Sequence, residues 1–199
     1  MSLLFETIKI INGTILNIDY HNKRVNESRR QLLAKTGLWN LHDFIVIPEI
    51  YDNLTYKCKL VYSEKIHSIE FQKYAIRKLQ TLKLVECPDI DYHYKYLDRT
   101  KLDNLKQTNN QTDDIIIVKD QRLTDCSYAN IIFFDGEKWI TPANPLLKGT
   151  KRQKYLDEGL IFEDNIKICD LKNFTKARII NAMIDLHECP DILMKNIFF

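Results

Sequence analysis

"LTDCSYANIIFFDGEKWITPANPLLKGTKRQ", Leu123 to Gln153, is the stretch on which the reading of this chain turns. Its centre, "NIIFFDG", is rich in β-formers and stops at Asp135-Gly136, a pair suited to a tight turn, after which "KWITP" reads as a short strand. Upstream, "DIIIVKD" is another β-rich run ending at Asp120, so Asp125 falls between two such runs and reads as a turn former. Downstream, Gly149 precedes a short helix over "TKRQKYLDEG" that Gly159 can close. The spacing predicts strands that lead into a helix start, with one carboxylate set among them.

Toward the amino terminus, "LLFETIKIINGTILNID" reads as two strands joined by Asn12-Gly13, with Phe5, Thr7 and Lys9 alternating against Glu6, Ile8 and Ile10. In "DYHNKRVNESRRQLLAKTG", Asp19 can cap a helix, Val25, Ser28, Leu32 and Leu33 recur at helical spacing, and Gly37 can end it. An irregular stretch around Pro48, with room for another helix, leads to "YKCKLVYS" and "HSIEFQKYAI", read as paired strands. The pattern breaks at Pro88 in "VECPDIDYHYK", which predicts two lobes, an α/β lobe over 1–87 and a second over 88–199. Thr100 can cap a helix to about Gln107, "QTNNQTDD" reads as a loop, and "NIKICDL" and "KARIINAMIDL" carry mixed strand and helix signals.

The chain has 199 residues, enough for one sizeable domain or two small lobes. Its 29 basic and 27 acidic residues are nearly balanced, with no long run of one sign, so neither a nucleic acid nor an anionic membrane is expected as partner. The start lacks a basic leader and a long apolar run, and no segment approaches the roughly 20 apolar residues of a membrane span, so a cytoplasmic protein is expected. Five cysteines, Cys58, Cys87, Cys126, Cys169 and Cys189, are odd in number and lack CxxC spacing, which predicts reduced packing residues. The five histidines show no HxxxH pair, so no metal is expected.

Four patterns have chemical potential, each with a plainer reading. Lys95, in "DYHYKYLDR", sits between Tyr94 and Tyr96; a desolvated amine loses its proton more easily and becomes a nucleophile, yet most lysines are solvated surface charges. "GTKR" puts Gly149 and Thr150 at a helix entrance, where free amides and the dipole favour a phosphate, although an ordinary helix start has the same composition. Asp125 is a turn former or the partner of a protonated ring nitrogen. "HNKR", His21 to Arg24, reads as a solvated helical face.

In this order the motifs "FETIKIINGTILNIDYHNKR", "KYLDR", "LTDCSYANIIFFDGEKWITP", "GTKRQ" and "INAM" resemble those of the class IV aminotransferases, the fold-type-IV pyridoxal-phosphate enzymes. That family includes branched-chain and D-amino-acid aminotransferases and 4-amino-4-deoxychorismate lyase. The resemblance runs from about Phe5 to Asp185 and is most specific between Leu123 and Arg152. It implies an α+β fold of the D-amino-acid aminotransferase type, a small α/β lobe plus a curved-sheet pseudo-barrel lobe that binds pyridoxal 5'-phosphate. Lys95 is then the covalent anchor of the cofactor and the acid/base that moves the substrate proton. Arg24 grips the phosphate from the first lobe, and the amides of Thr150 and Lys151, after Gly149, reach it from the second. Asp125 pairs with the pyridinium nitrogen where the family usually has glutamate, in T-E-x-x-x-x-N, and Asn130 completes that motif. Arg99 approaches the phenolic oxygen, and Asn181 closes the phosphate side. A homodimer and a small amino-group substrate are the partners implied.

Two departures stand out: Asp125 is one methylene shorter than the family's glutamate, and the chain is shorter than most relatives, beginning almost at "FET". "KYLDR" is closer to the lyase's K-x-x-N-R than to the glycine-rich segment of the branched-chain enzymes. The resemblance therefore favours 4-amino-4-deoxychorismate lyase, which releases pyruvate and 4-aminobenzoate for folate synthesis. An amino-acid transaminase and a non-catalytic interaction protein on the same scaffold are the alternatives.

Overall fold

The computed structural model describes residues 2–48 and 54–199, so part of the irregular stretch around Pro48 lies outside the described residues. Two compact units make up the chain, residues 1–76 with 94–98, and residues 77–93 with 99–199.

In the first unit, β1 (Leu4–Ile11) turns at Asn12 and Gly13, both at positive φ (48° and 71°), into β2 (Thr14–Ile15). Asparagine and glycine tolerate that conformation best, which is why the pair makes a tight hairpin. Helix α1 (Ile18–Leu33) follows, then a 3-10 turn over Leu41–Asp43, β3 (Thr55–Tyr62) and β4 (Ile66–Lys73). The predicted caps of α1 are displaced: Asn17 and Ala34, both left-handed, flank the helix instead of Asp19 and Gly37. The strands form a four-stranded antiparallel sheet in the order β2-β1-β3-β4. One face is apolar, Leu4, Ile8 and Ile10 of β1 with Cys58, Leu60 and Tyr62 of β3, and it forms a core with Val25 of α1 and Leu41. The segment 94–98 completes this unit: the amide of Phe5 donates to the Lys95 carbonyl at 3.0 Å, and that of Leu97 to the Leu3 carbonyl at 2.9 Å.

The second unit contains β5 (Leu82–Glu86), α2 (Thr100–Thr108), β6 (Asp114–Lys119), β7 (Arg122–Cys126), β8 (Asn130–Phe134), β9 (Trp139–Pro142), α3 (Thr150–Asp157), β10 (Phe162–Asp164), β11 (Lys176–Ile180), β12 (Ile192–Leu193) and β13 (Ile197–Phe198). They form a nine-stranded mixed sheet in the order β10-β9-β8-β7-β6-β5-β13, with β11 joining β8 to β12. Ile115 to Val118 of β6 are all fully buried, the mark of a strand covered on both faces. Tyr155 of α3 packs into a cluster with Ile132, Ile161, Ile180 and Leu186.

The division at 87/88 expected from Pro88 differs from the one observed. Strand β5, which the sequence reading passed over, pairs in parallel with β6 and so belongs to the second unit. A parallel pair needs a crossover connection, and here that crossover carries 94–98 to the first unit and α2 to the second. All five cysteines are free, three of them buried. No helix among the described residues is long and apolar enough to cross a membrane.

Candidate active site

In the first unit the residues around Lys95 are sorted by strand alternation. Leu4 and Tyr96 face each other in a bridge, and both turn toward the apolar core, as does Tyr94, whose hydroxyl donates to Gln31 Oε1 at 2.8 Å. Successive side chains of an extended chain point to opposite faces, so Lys95 and Phe5 share the other face. The Lys95 ammonium lies 4.6 Å from the Phe5 ring centroid. The aromatic neighbour of the amine is thus a phenylalanine far away in sequence, while Tyr94 and Tyr96 stack edge-on with each other, their centroids 6.0 Å apart.

Arg24 is anchored on the core side of the same sheet. Glu6, fully buried, accepts from Arg24 Nε at 2.9 Å and Nη2 at 2.5 Å, and from His21 Nδ1 at 2.6 Å. Burial would push the Glu6 carboxyl up, but the Arg24 charge and the His21 hydrogen bond outweigh it and hold the pKa at about 2. Burial pushes the His21 pKa down against the Glu6 contact that raises it, and the buried Nε2 has no hydrogen-bond partner among the described residues. "HNKR" is therefore not the solvated face expected from the sequence. Glu6 and His21 were missed as site residues, although Glu6 falls in phase with the inward Leu4, Ile8 and Ile10, where a carboxylate requires a cation.

The second unit brings Asp125, Asn130, Gly149 and Thr150 together. Asp125 is not in a turn; it lies inside β7, opposite Asn130 at the start of β8. The local composition misled because burial between paired strands, a tertiary effect, overrides the turn preference of Asp. Asn130 Nδ2 donates to Asp125 Oδ1 at 2.7 Å and to the Leu147 carbonyl at 2.9 Å, and the Leu147 amide donates to Asp125 Oδ2 at 2.9 Å. Burial still dominates and pushes the Asp125 carboxyl up to about 6. The amides of Leu147 and Leu146, the Asn130 side chain and the more distant Arg152 charge do not offset that burial, so this acid is suited to a directly bonded cationic N–H.

Gly149 is required for space, not for backbone freedom. Its φ is −67°, which any residue adopts, but a Cβ there would stand 2.0 Å from Asn130 Oδ1. It offers no side chain to cap α3, so the helix presents its first amides, those of Thr150 and Lys151, without an intrahelical acceptor. Thr150 Oγ1, on a residue 4% exposed, also has no hydrogen-bond partner among the described residues. Uncapped amides beside a buried hydroxyl are the kind of donors that an anion requires. The Lys151 side chain turns away, to Asp185, which also accepts from the Tyr155 hydroxyl at 2.9 Å.

The two looser assignments have structural partners. Arg99 Nη2 donates to the Ser127 carbonyl at 2.9 Å, just beyond the strand that carries Asp125. Asn181 Oδ1 accepts from the amides of Met183 (2.8 Å) and Ile184 (3.1 Å), the hydrogen bonding of a tight turn after β11. No group of three or more potential metal ligands occurs among the described residues.

Comparison with known proteins places this geometry. Residues 60–189 match the family described as amino-transferase class IV. An uncharacterised protein of Haemophilus influenzae is 40% identical over 182 residues, covering 90% of this chain and 97% of that protein. A solved structure from Haemophilus somnus, named as a candidate 4-amino-4-deoxychorismate lyase, is 34% identical, with a TM-score of 0.85 over 94% of this chain and 98% of its own. An aminotransferase from Brucella abortus, solved with the cofactor PLP bound, shares the fold at 14% identity, with a TM-score of 0.72 over 98% of this chain and 81% of its own. With its family match over most of the sequence, and relatives of the same length that align almost end to end, the chain belongs to the class IV aminotransferase family.

Proposed function

We propose that this chain is a pyridoxal 5'-phosphate-dependent lyase that converts 4-amino-4-deoxychorismate into 4-aminobenzoate and pyruvate. The observation that carries the reading is the nearly end-to-end likeness to the Haemophilus somnus protein named for that activity.

The residues present fit the cofactor. The uncapped start of α3 and the orphaned Thr150 hydroxyl suit its phosphate, and the buried Asp125 carboxylate suits a protonated ring nitrogen. Arg24, its guanidinium plane set by Glu6, is the cation that the family resemblance assigns to the phosphate. Lys95 is the amine that anchors the group. When bound, pyridoxal phosphate supplies an aldehyde carbon and a ring that draws in the electron pair left by a departing proton. The chain's own share is to hold and move that proton at Lys95 Nζ, to keep the ring nitrogen charged through Asp125, and to fix Asp125 through Asn130 and the Leu147 amide. Arg99 and Asn181 support the site by holding the Ser127 carbonyl and the turn after β11. A cytoplasmic homodimer belongs to the same proposal, and light scattering on the purified protein tests the dimer.

Purified protein should be yellow, and borohydride should bleach it and leave a label on Lys95. Pyruvate should appear from 4-amino-4-deoxychorismate without any keto-acid acceptor. Turnover that demands an acceptor would assign amino-acid transamination instead, and a protein that stays colourless with added cofactor would be the interaction module.

A further inference from the structure

Strand alternation that turns Phe5 and Lys95 to one face of the first unit brings a second cation with them. Lys59 on β3 pairs with Thr7, two residues along from Phe5 and on the same face, and its ammonium lies 5.8 Å from the Phe5 ring centroid. The Lys95 ammonium lies 4.6 Å from that centroid. Glu70 stands directly opposite Lys59 on β4, the usual partner for a strand lysine, yet Lys59 makes no ion pair among the described residues. Both ammoniums lie within 6 Å of one ring centroid, so they are no more than about 10 Å apart, a span that an amine and a carboxylate at opposite ends of a six-membered ring can bridge.

We propose that Lys59 is a specificity-determining residue that binds the substrate carboxylate distal to the amine handled at Lys95, with the Phe5 ring as the apolar floor beneath the body of the substrate. This rests on the lyase reading, in which the substrate carries amine and carboxylate at opposite ends of a six-membered ring. An amino acid processed by transamination has its carboxylate on the amine-bearing carbon and makes no such demand. The ammonium is a compact point charge, so either lysine or arginine serves at this position, while a neutral side chain of similar length does not.

The experiment compares wild type, Lys59→Gln and Lys59→Arg as holoenzymes. Equilibrium binding of 4-aminobenzoate is measured against aniline, which lacks the carboxylate. Wild type should prefer 4-aminobenzoate at least tenfold, Lys59→Gln should lose that preference, and Lys59→Arg should keep most of it. In turnover, Lys59→Gln should raise KM for 4-amino-4-deoxychorismate at least tenfold with kcat within about threefold, with cofactor absorbance and melting temperature unchanged. A Lys59→Gln enzyme that still favours 4-aminobenzoate tenfold overturns the proposal, as does a wild type with no preference. Failure of the lyase reading shows separately, as absence of pyruvate release by wild type.

Discussion

Gly149 and Asp125 show how much one atom or one proton decides here. A methyl group at Gly149 would press on an Asn130 side chain already tied to Asp125 and Leu147. Gly149→Ala should therefore cost about 1–3 kcal/mol of stability, as overpacking does, and weaken cofactor affinity, both measurable by urea unfolding and by absorbance titration. Two of the buried acids predict opposite pH responses. Asp125 titrates near 6 when folded and near 3.8 when unfolded, so folded protein binds its proton more tightly. Its contribution then falls by about 3 kcal/mol as pH rises from roughly 4 to 6, and is flat above. Glu6 titrates near 2 when folded, against 4.5, so it adds about 3 kcal/mol above roughly pH 4.5, lost as pH falls toward 2. Urea midpoints across pH 3–7 should lose the first slope in Asp125→Asn and the second in Glu6→Gln. Glu6→Gln should also be the more damaging at neutral pH, since it leaves Arg24 beside a neutral amide.

At the scale of elements, the start of α3 and the strand β6 carry separate duties. Thr150→Ala removes an orphaned hydroxyl from the helix start, so it should leave stability nearly unchanged and weaken binding of the phosphorylated cofactor about threefold to tenfold, in line with one hydrogen bond. Unphosphorylated pyridoxal should bind both proteins alike, a contrast read by the same titration. Ile117→Ala in β6, fully buried, should cost about 2–5 kcal/mol in urea unfolding without altering the absorbance of the protein that remains folded. The hairpin at Asn12-Gly13 and the pairing of β3 with β4 were legible because turn chemistry and alternation are local signals. The caps of α1 were not, since Asn17 and Ala34 hold left-handed backbone that composition does not announce. Strand β5 was missed for a related reason: Leu82 and Leu84 alternate over too short a run, and β6 supplies the pairing from far along the chain.

For the whole molecule, the proposed function rests on Lys95. Lys95→Ala should yield a protein that folds with an unchanged melting temperature, takes up the cofactor without a borohydride-stable bond, and releases no pyruvate; mass spectrometry after reduction and a pyruvate assay check both. The family resemblance of the motif series singled out Lys95, Asp125, Gly149 and Thr150 as candidates. What surrounds them came from elsewhere in the fold: sheet register brings Phe5 to Lys95 and Lys59 to Phe5, and Glu6 fixes Arg24 across from β1 to α1. The sequence by itself determined the family, the hairpin at Asn12-Gly13 and the pairing of β3 with β4, and it named the candidate residues, because each depends on residue type and short spacing. Only the tertiary structure decided the boundary between units, the burial that pushes Asp125 up, the Arg24 and His21 contacts that hold Glu6 down, and the cation that shares a ring with Lys95, because desolvation, ion pairing and long-range strand pairing exist only once distant segments are packed together.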